Sequence, residues 1–282
     1  MSFLGIYREP EFSPGRHAGN DALILRLVGQ ALERYGIDVK LASLPEARGL
    51  WRSADLIFSM CQGPQALAEL SEWKAQGALI RNDPEASRRT YRDQLCSTLR
   101  EKQLAFPHSE FISTAPETDL SALKPLLSEE GGWLKRADVH ATGPGDVTRV
   151  HFFEQLPSAL AAFRARGLDH AVLQQHRDGD EVKFYGVRGG RFFWPYYPKD
   201  CNGYPFDAKQ LEGMAEHAAN VLQIGIYGGD AIISPEGRIT LIDLNDWPSF
   251  APCRGAAASA IAFYLKDTYH ALKNQRPLSA NR

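Results

Sequence analysis

Two apolar runs near the end of the chain carry oxygen-bearing side chains at strand spacing. They are Gly228, Gly229, Asp230, Ala231, Ile232, Ile233 and then Ile239, Thr240, Leu241, Ile242, Asp243, Leu244, Asn245, Asp246, Trp247, Pro248. Ser234, Pro235, Glu236, Gly237 and Arg238 between them read as a tight turn, so the two runs form a hairpin. Side chains two apart on a strand share a face. Asp243 and Asn245 therefore project together, Ile242 and Leu244 project into a core, and Asp230 comes alongside from the partner strand. Two carboxylates and an amide oxygen on one wall suit Mg²⁺, a hard ion that keeps waters and phosphate oxygens as its remaining ligands. The same pattern also fits a half-buried hairpin with a solvated acidic face.

Three earlier segments carry further chemistry. Gly131, Gly132, Trp133, Leu134 and Lys135 form a strand ending in lysine, followed by the small-residue stretch Ala141, Thr142, Gly143, Pro144, Gly145, Asp146. A lysine there can hold a phosphate as a point charge while loop amides close over it. It equally fits an edge-strand lysine before a surface turn. Ala171, Val172, Leu173, Gln174, Gln175 and His176 run from apolar to polar, either as a link between two lobes whose backbone reads a purine edge or as an ordinary strand end. In the stretch 180–187, period two puts Glu181, Lys183 and Tyr185 on one face. Lys183 there could meet phosphate and Asp180 or Glu181 a ribose hydroxyl; the alternative is a solvated strand face.

These residues need elements to hold them. Short apolar runs at 4–7, 39–42, 55–60 and 78–80 alternate with helical patterns at 22–35, capped by Asn20 and Asp21, and at 64–76. Alternation of this kind predicts a parallel sheet covered by helices, a small Rossmann-like lobe over 1–83. It carries no glycine fingerprint for a dinucleotide. A helix is expected over 87–101. Mixed strands follow at 108–112, 133–135, 147–150 and 170–175, with helices at 121–129 and 158–166. Strands at 181–188 and 191–197 turn at Gly189 and Gly190, a helix over 206–223 leads into the hairpin, and a last helix covers 254–273.

The 282 residues, 44% hydrophobic and 23% charged, are ordinary for a soluble globular chain. A net charge of −2 argues against a general nucleic-acid or membrane-surface binder. No apolar run approaches the roughly 20 residues of a bilayer span, and the N-terminus does not read as a signal peptide. Cys61, Cys96, Cys201 and Cys253 are too dispersed for a zinc knuckle or redox dithiol, so a cytoplasmic location is expected.

In their order and spacing the four features resemble the ATP-grasp superfamily over about 87–273, most strongly in Gly229, Asp230 and the run from Leu241 to Pro248. The resemblance implies an α/β fold: a small pre-ATP-grasp domain at 1–83, a central lobe at 84–173, and a C-terminal lobe with the metal site at 174–282. It implies that Asp230, Asp243 and Asn245 bind Mg²⁺, with Mn²⁺ able to substitute. It further implies that Lys135 and Lys183 contact ATP phosphates, and that Gln174, Gln175 and His176 form the adenine hinge, with Asp180 and Glu181 beside them. The chain departs from the pattern in places. An Arg-Asp-Lys element common in relatives reads Arg92, Asp93, Gln94 here, so Arg92, Arg89 or Lys102 must supply the charge or the contact is absent. Asp243 stands where many ligases have glutamate; aspartate there also occurs in the inositol tris- and tetrakisphosphate kinase branch, which the stretch 135–140 distantly resembles.

The implied activity is ATP- and Mg²⁺-dependent joining of a small-molecule or peptide carboxylate to an amine through an acylphosphate. Arg254, Arg16 and Lys199 are candidates for the acid, Arg254 foremost and catalytic. The loop after the first strand suggests Arg16, His17 and Asn20 as acceptor-selecting residues, because ligands sit beyond the carboxyl ends of such strands. The alternatives are a kinase phosphorylating a hydroxyl, with Arg88, Arg89 and Arg92 as its basic pocket, and a nucleotide-binding regulator without turnover. Related enzymes are often homodimers, and the sequence leaves the oligomeric state of this chain open.

Overall fold

The protein, as a computed structural model, is described over residues 1–13, 16–127, 130–139, 143–198 and 201–275, with backbone alone at 16, 17 and 275. The first part contains β1 (Ser2–Ile6), α1 (Arg16–Glu33), β2 (Asp38–Ala42), α2 (Leu44–Ala47), β3 (Leu56–Ser59), α3 (Pro64–Ala75) and β4 (Ile80–Arg81). Its four strands run parallel in the order β2-β1-β3-β4. Parallel neighbours require crossovers, and the intervening helices supply them. Next come α4 (Pro84–Arg88), α5 (Arg92–Glu101), β5 (Ser109–Ser113), β6 (Gly132–Arg136), β7 (Val147–Val150), α6 (Leu156–Ala165) and β8 (His170–Gln175). These strands form an antiparallel sheet in the order β5-β8-β6-β7. The last part holds β9 (Asp180–Val187), β10 (Phe192–Tyr196), α7 (Ala208–Leu222), β11 (Ile226–Ile233), β12 (Ile239–Asp246) and α8 (Arg254–Gln275), with antiparallel order β10-β9-β11-β12. The parallel first sheet is the one the alternation of strands and helices predicts, and the two sheets after it, expected as mixed or antiparallel from the family resemblance, are antiparallel.

Several local expectations change in the structure. α1 starts at Arg16, so Asn20 and Asp21 lie inside it and do not cap it. The segment 121–129 is a 3₁₀ turn over Ser121–Leu127, with Pro125 inside. The helix expected over 87–101 is broken. Thr90 turns its hydroxyl back to the Ser87 carbonyl at 2.7 Å, Tyr91 is extended, and its hydroxyl reaches the Gln62 carbonyl. The break lets α5 start afresh with Arg92 at its head. α8 packs against α1, completing a core with Phe3, Leu25, Val28 and Phe58 of the first part and Trp247, Phe250, Ile261 and Leu265 of the last. The closing helix thus seals the first sheet, although it follows the hairpin in sequence.

Period two fails at one position in the hairpin. Asp230 pairs with Asp243 and Ala231 with Leu241, leaving Ile242 as the extra residue of a β-bulge. Leu241 and Leu244 enter the core with Phe184 and Ala231. Ile242, expected in that core, instead lines the main cavity beside Asp243. The bulge shifts the phase of the strand by one residue, so Ile242, Asp243 and Asn245 all face the cavity. Glycines bring the strands this close: a Cβ at Gly229 would lie 2.4 Å from the Asp243 carbonyl oxygen and 2.6 Å from the Phe184 ring.

Candidate active site

A cavity of about 920 Å³ opens where the three sheets meet. Its acidic wall is the bulged hairpin. The Asp230 carboxylate faces Lys183 Nζ at 2.9 Å, and the same ammonium lies 2.6 Å from Glu181. Burial works against the Lys183 charge, but Asp230 and Glu181 more than offset it and hold the ammonium above the ordinary lysine range. Burial also pushes the Asp230 carboxyl up, with Asp243 adding to the shift and Lys183 opposing it. Asp243 Oδ2 lies 2.9 Å from Arg92 Nη2, both side chains being nearly inaccessible. Arg92 is further fixed by long contacts to the carbonyls of Arg136 and Val139, both 3.4 Å. Asn245 Oδ1 is buried and has no hydrogen-bond partner among the described residues.

The opposite wall comes from the central sheet. Lys135 is 6% exposed; its Nζ donates to Gln174 Oε1 at 2.7 Å and reaches the bulge carbonyl of Ile242 at 3.5 Å. Gln174 Nε2 meets that carbonyl at 3.3 Å. Burial pulls the Lys135 ammonium below its ordinary range, with Arg92 adding to the effect and Asp243 opposing it. At the cavity edge Trp133 Nε1 donates to His176 Nδ1 at 3.1 Å, and His176 Nε2 lies 2.9 Å from Asp178. An indole N–H can only donate, so Nδ1 is the acceptor and Nε2 carries the proton that Asp178 receives. The N–H of Gln175 goes to the His108 carbonyl at 2.8 Å and that of His176 to the Gly131 carbonyl at 3.1 Å. Those two amides are committed to backbone carbonyls, which leaves the carbonyls and side chains of this stretch to face the cavity.

No family model matches the sequence, and no curated protein matches it. Solved structures do match. A D-alanine–D-alanine ligase from Bacillus anthracis, solved with ATP, superposes with a TM-score of 0.73 at 10% identity, covering 98% of this chain and 99% of that one. The D-alanyl-alanine synthetase A of Vibrio cholerae gives 0.72 at 11% identity over 96% and 98%. A RimK-domain ATP-grasp protein of Sphaerobacter thermophilus gives 0.67 at 16% identity over 94% and 99%. The chain has the ATP-grasp fold.

Within this ATP-grasp fold the structure brings together most of the residues singled out from sequence and separates the others. Lys135, Gln174, Gln175, His176, Glu181, Asp230, Asp243 and Asn245 all line the cavity, and Lys183 reaches its edge through Asp230. Asp180 does not. It sits on the other face of β9, and its carboxylate accepts from the Asn202 amide and side chain at 3.1 and 2.9 Å and from the Tyr204 amide at 3.0 Å. That carboxylate holds a loop, and of the two acids considered for a ribose hydroxyl it is Glu181 that lines the cavity. Arg254 Nη2 donates to Asn20 Oδ1, tying α8 to α1, and neither residue lines the cavity. The side chains of Arg16 and His17, and all of Lys199, Ala141 and Thr142, lie outside the described residues. Arg89 pairs with Gln223 at 2.8 Å, away from the cavity, and Lys102 is exposed. Of the basic residues considered in place of a lysine at Gln94, Arg92 lines the cavity.

Sequence reasoning passed over Arg8 and Asp21. Both line the cavity where it meets the parallel sheet. Their signal was position: Arg8 follows β1 by two residues, at the carboxyl edge where such sheets take ligands.

The donor set fits a hard divalent ion. Among the described residues no three His, Cys, Asp or Glu cluster at metal-binding spacing. Two carboxylates and the unpartnered Asn245 oxygen remain, the kind of partial set that suits an ion retaining water and phosphate ligands.

Proposed function

We propose that this protein is an ATP- and Mg²⁺-dependent ligase that activates a carboxylate as an acylphosphate and passes it to an amine. The carrying observation is that the acidic hairpin and the buried Lys135, which touches its bulge, line one cavity together. Asp230, Asp243 and Asn245 would hold Mg²⁺, which neutralises phosphate charge when bound. Lys135, already desolvated, donates to phosphate oxygens without solvent reorganisation, the condition under which a fixed charge is worth most. Lys183 and Arg92 are tethered to metal-site carboxylates here. Both would supply positive charge beside the phosphates, next to the carboxylates that would hold Mg²⁺. Gln174 to His176 border the base, with the Trp133–His176–Asp178 chain fixing the imidazole.

The acceptor end of the cavity favours the ligase over the kinase. A polyphosphorylated alcohol needs several free cations. Among the described residues considered there, Arg92 is paired with Asp243 and Arg89 with Gln223, while Arg8 keeps two unused N–H groups, enough for one carboxylate and too few for several phosphates. The names of the structural relatives, ligases and a synthetase, point the same way. The working boundaries are 1–83, 84–173 and 174–282, with α8 seated on the first unit. No helix of the described residues is long and apolar enough to cross a membrane.

The test is incubation with ATP, Mg²⁺ and a panel of carboxylic acids in the presence of hydroxylamine, which traps acylphosphates as hydroxamates. ADP together with a hydroxamate is the expected result. ADP with a phosphorylated alcohol and no hydroxamate would establish the kinase. Nucleotide binding with no ADP from any acceptor would establish the regulator.

A further inference from the structure

Arg8 is a buried cation clamped by three elements at the acceptor end of the cavity. Its Nε donates to the Met60 carbonyl at 3.1 Å and its Nη2 to the Trp247 carbonyl at 2.6 Å. Its Nη1 meets Asp21 Oδ2 at 3.3 Å, and its side chain is 10% exposed. A guanidinium carries five N–H groups in a planar fork. Three are used, which leaves one N–H on each terminal nitrogen. Two of the three acceptors are neutral carbonyls. The one carboxylate contact is long and uses a single oxygen, whereas guanidinium and carboxylate pair best through two short parallel bonds. Asp21 does not depend on Arg8: the same Oδ2 accepts from the Ser13 hydroxyl at 2.5 Å. Two further acids lie near Arg8 and take their hydrogen bonds elsewhere: Glu9 from the Gln62 and Gly63 amides at 3.1 and 2.9 Å, and Asp246 from Gln62 Nε2 at 2.7 Å and Ser87 Oγ at 2.5 Å. The cavity therefore holds a rigid arginine with two N–H groups unused among the described residues.

Its place along the hairpin fixes what it could touch. Trp247 follows Asn245 by two residues, a separation of at most about 7 Å along the chain. A small molecule with one end at the Asp243 and Asn245 donors can reach Arg8 with the other. We propose that Arg8 is the acceptor-selecting residue, taking the non-reacting carboxylate of a small dicarboxylic acceptor in exchange for its loose contact with Asp21. This rests on the ligase reading for which carboxylate reacts, but binding at Arg8 is a separate event. Arg8 positions the substrate and Asp21 sets the strength of the grip, since its charge opposes the incoming one.

Calorimetry with succinate, in the presence of Mg²⁺ and a non-hydrolysable ATP analogue, tests it on the full chain. Succinate should bind the wild type and its neutral diamide should not. Arg8→Gln should weaken succinate on the order of 30-fold, as expected for losing a charged hydrogen-bonded pair, while analogue affinity holds. Arg8→Lys, which keeps charge but not the fork, should fall between. Asp21→Asn should tighten succinate, a change that a merely structural Arg8–Asp21 pair would not produce. Absence of succinate binding to the wild type overturns the proposal. So does equal binding by Arg8→Gln, or an unchanged or weaker grip in Asp21→Asn. If Arg8-dependent binding is found but no acid gives a hydroxamate, the ligase reading falls and the assignment of Arg8 stands.

Discussion

Replacing Lys135 by methionine should separate nucleotide binding from stability. The side chains are similar in length, and the Lys135 ammonium is desolvated with two neutral acceptors, Gln174 Oε1 and the Ile242 carbonyl. Removing the ammonium relieves a burial penalty of several kcal/mol. It also leaves the Gln174 oxygen without that donor, at a cost of about 1–3 kcal/mol. The two effects are of similar size and opposite sign, so the ligand-free variant should melt near or above the wild type. Nucleotide affinity has no such compensation. A hydrogen bond to a charged group is worth about 1.5–3 kcal/mol, so calorimetry should show Kd raised roughly 10- to 140-fold. The pH dependence has a definite sign. Burial depresses the folded value, so the unfolded chain holds the proton more tightly, and wild-type stability rises as pH climbs from the depressed value toward the ordinary lysine value of 10.5. Lys135→Met lacks that rise, so its relative stability is most favourable on the acid side of this window and shrinks toward its upper end. A variant that melts far below the wild type yet binds Mg²⁺ and nucleotide normally would refute the reasoning and make Lys135 a structural residue.

Three further outcomes follow from the same geometry. Asp243→Asn should slow turnover on the order of a hundredfold or more and blunt the Mg²⁺ dependence of nucleotide uptake measured by calorimetry; unchanged uptake would remove the hairpin from the metal site. Gly229→Ala should lower stability by about 1–3 kcal/mol in urea unfolding, because its methyl would press on the Asp243 carbonyl and the Phe184 ring; a neutral result would mean the strands have slack at the bulge. Asp180→Asn should lower the urea midpoint with nucleotide affinity intact, because the loop amides of Asn202 and Tyr204 lose a charged acceptor, whereas a weaker Kd without loss of stability would place Asp180 at the ribose.

The chemistry was legible where it followed period two or composition. The acidic hairpin, the strand bearing Lys135 and the run to His176 were all visible, because a strand displays its side chains alternately and polar residues in apolar strands stand out. The N-terminal lobe was legible from alternation of apolar runs and helical spacing. Three features were not. The bulge at Ile242 inserts one residue into one strand, and neither strand's own pattern records the register of the pair. The split between α4 and α5 depends on Tyr91 reaching Gln62, a contact 29 residues distant along the chain. Arg8 looked like any arginine after a strand, since its three acceptors come from Met60, Asp21 and Trp247.

The sequence alone determined most of the elements and the types of side chain they present, because spacing, turn residues and side-chain type act within a few residues of one another. The tertiary structure decided which of those groups meet. It turned Asp180 and Arg254 away from the cavity, put Arg92 on Asp243, left Asn245 with an open oxygen and brought Arg8 to the acceptor end. Such outcomes depend on strand register and on contacts between parts distant in the chain, where packing and charge compensation in three dimensions override the local pattern.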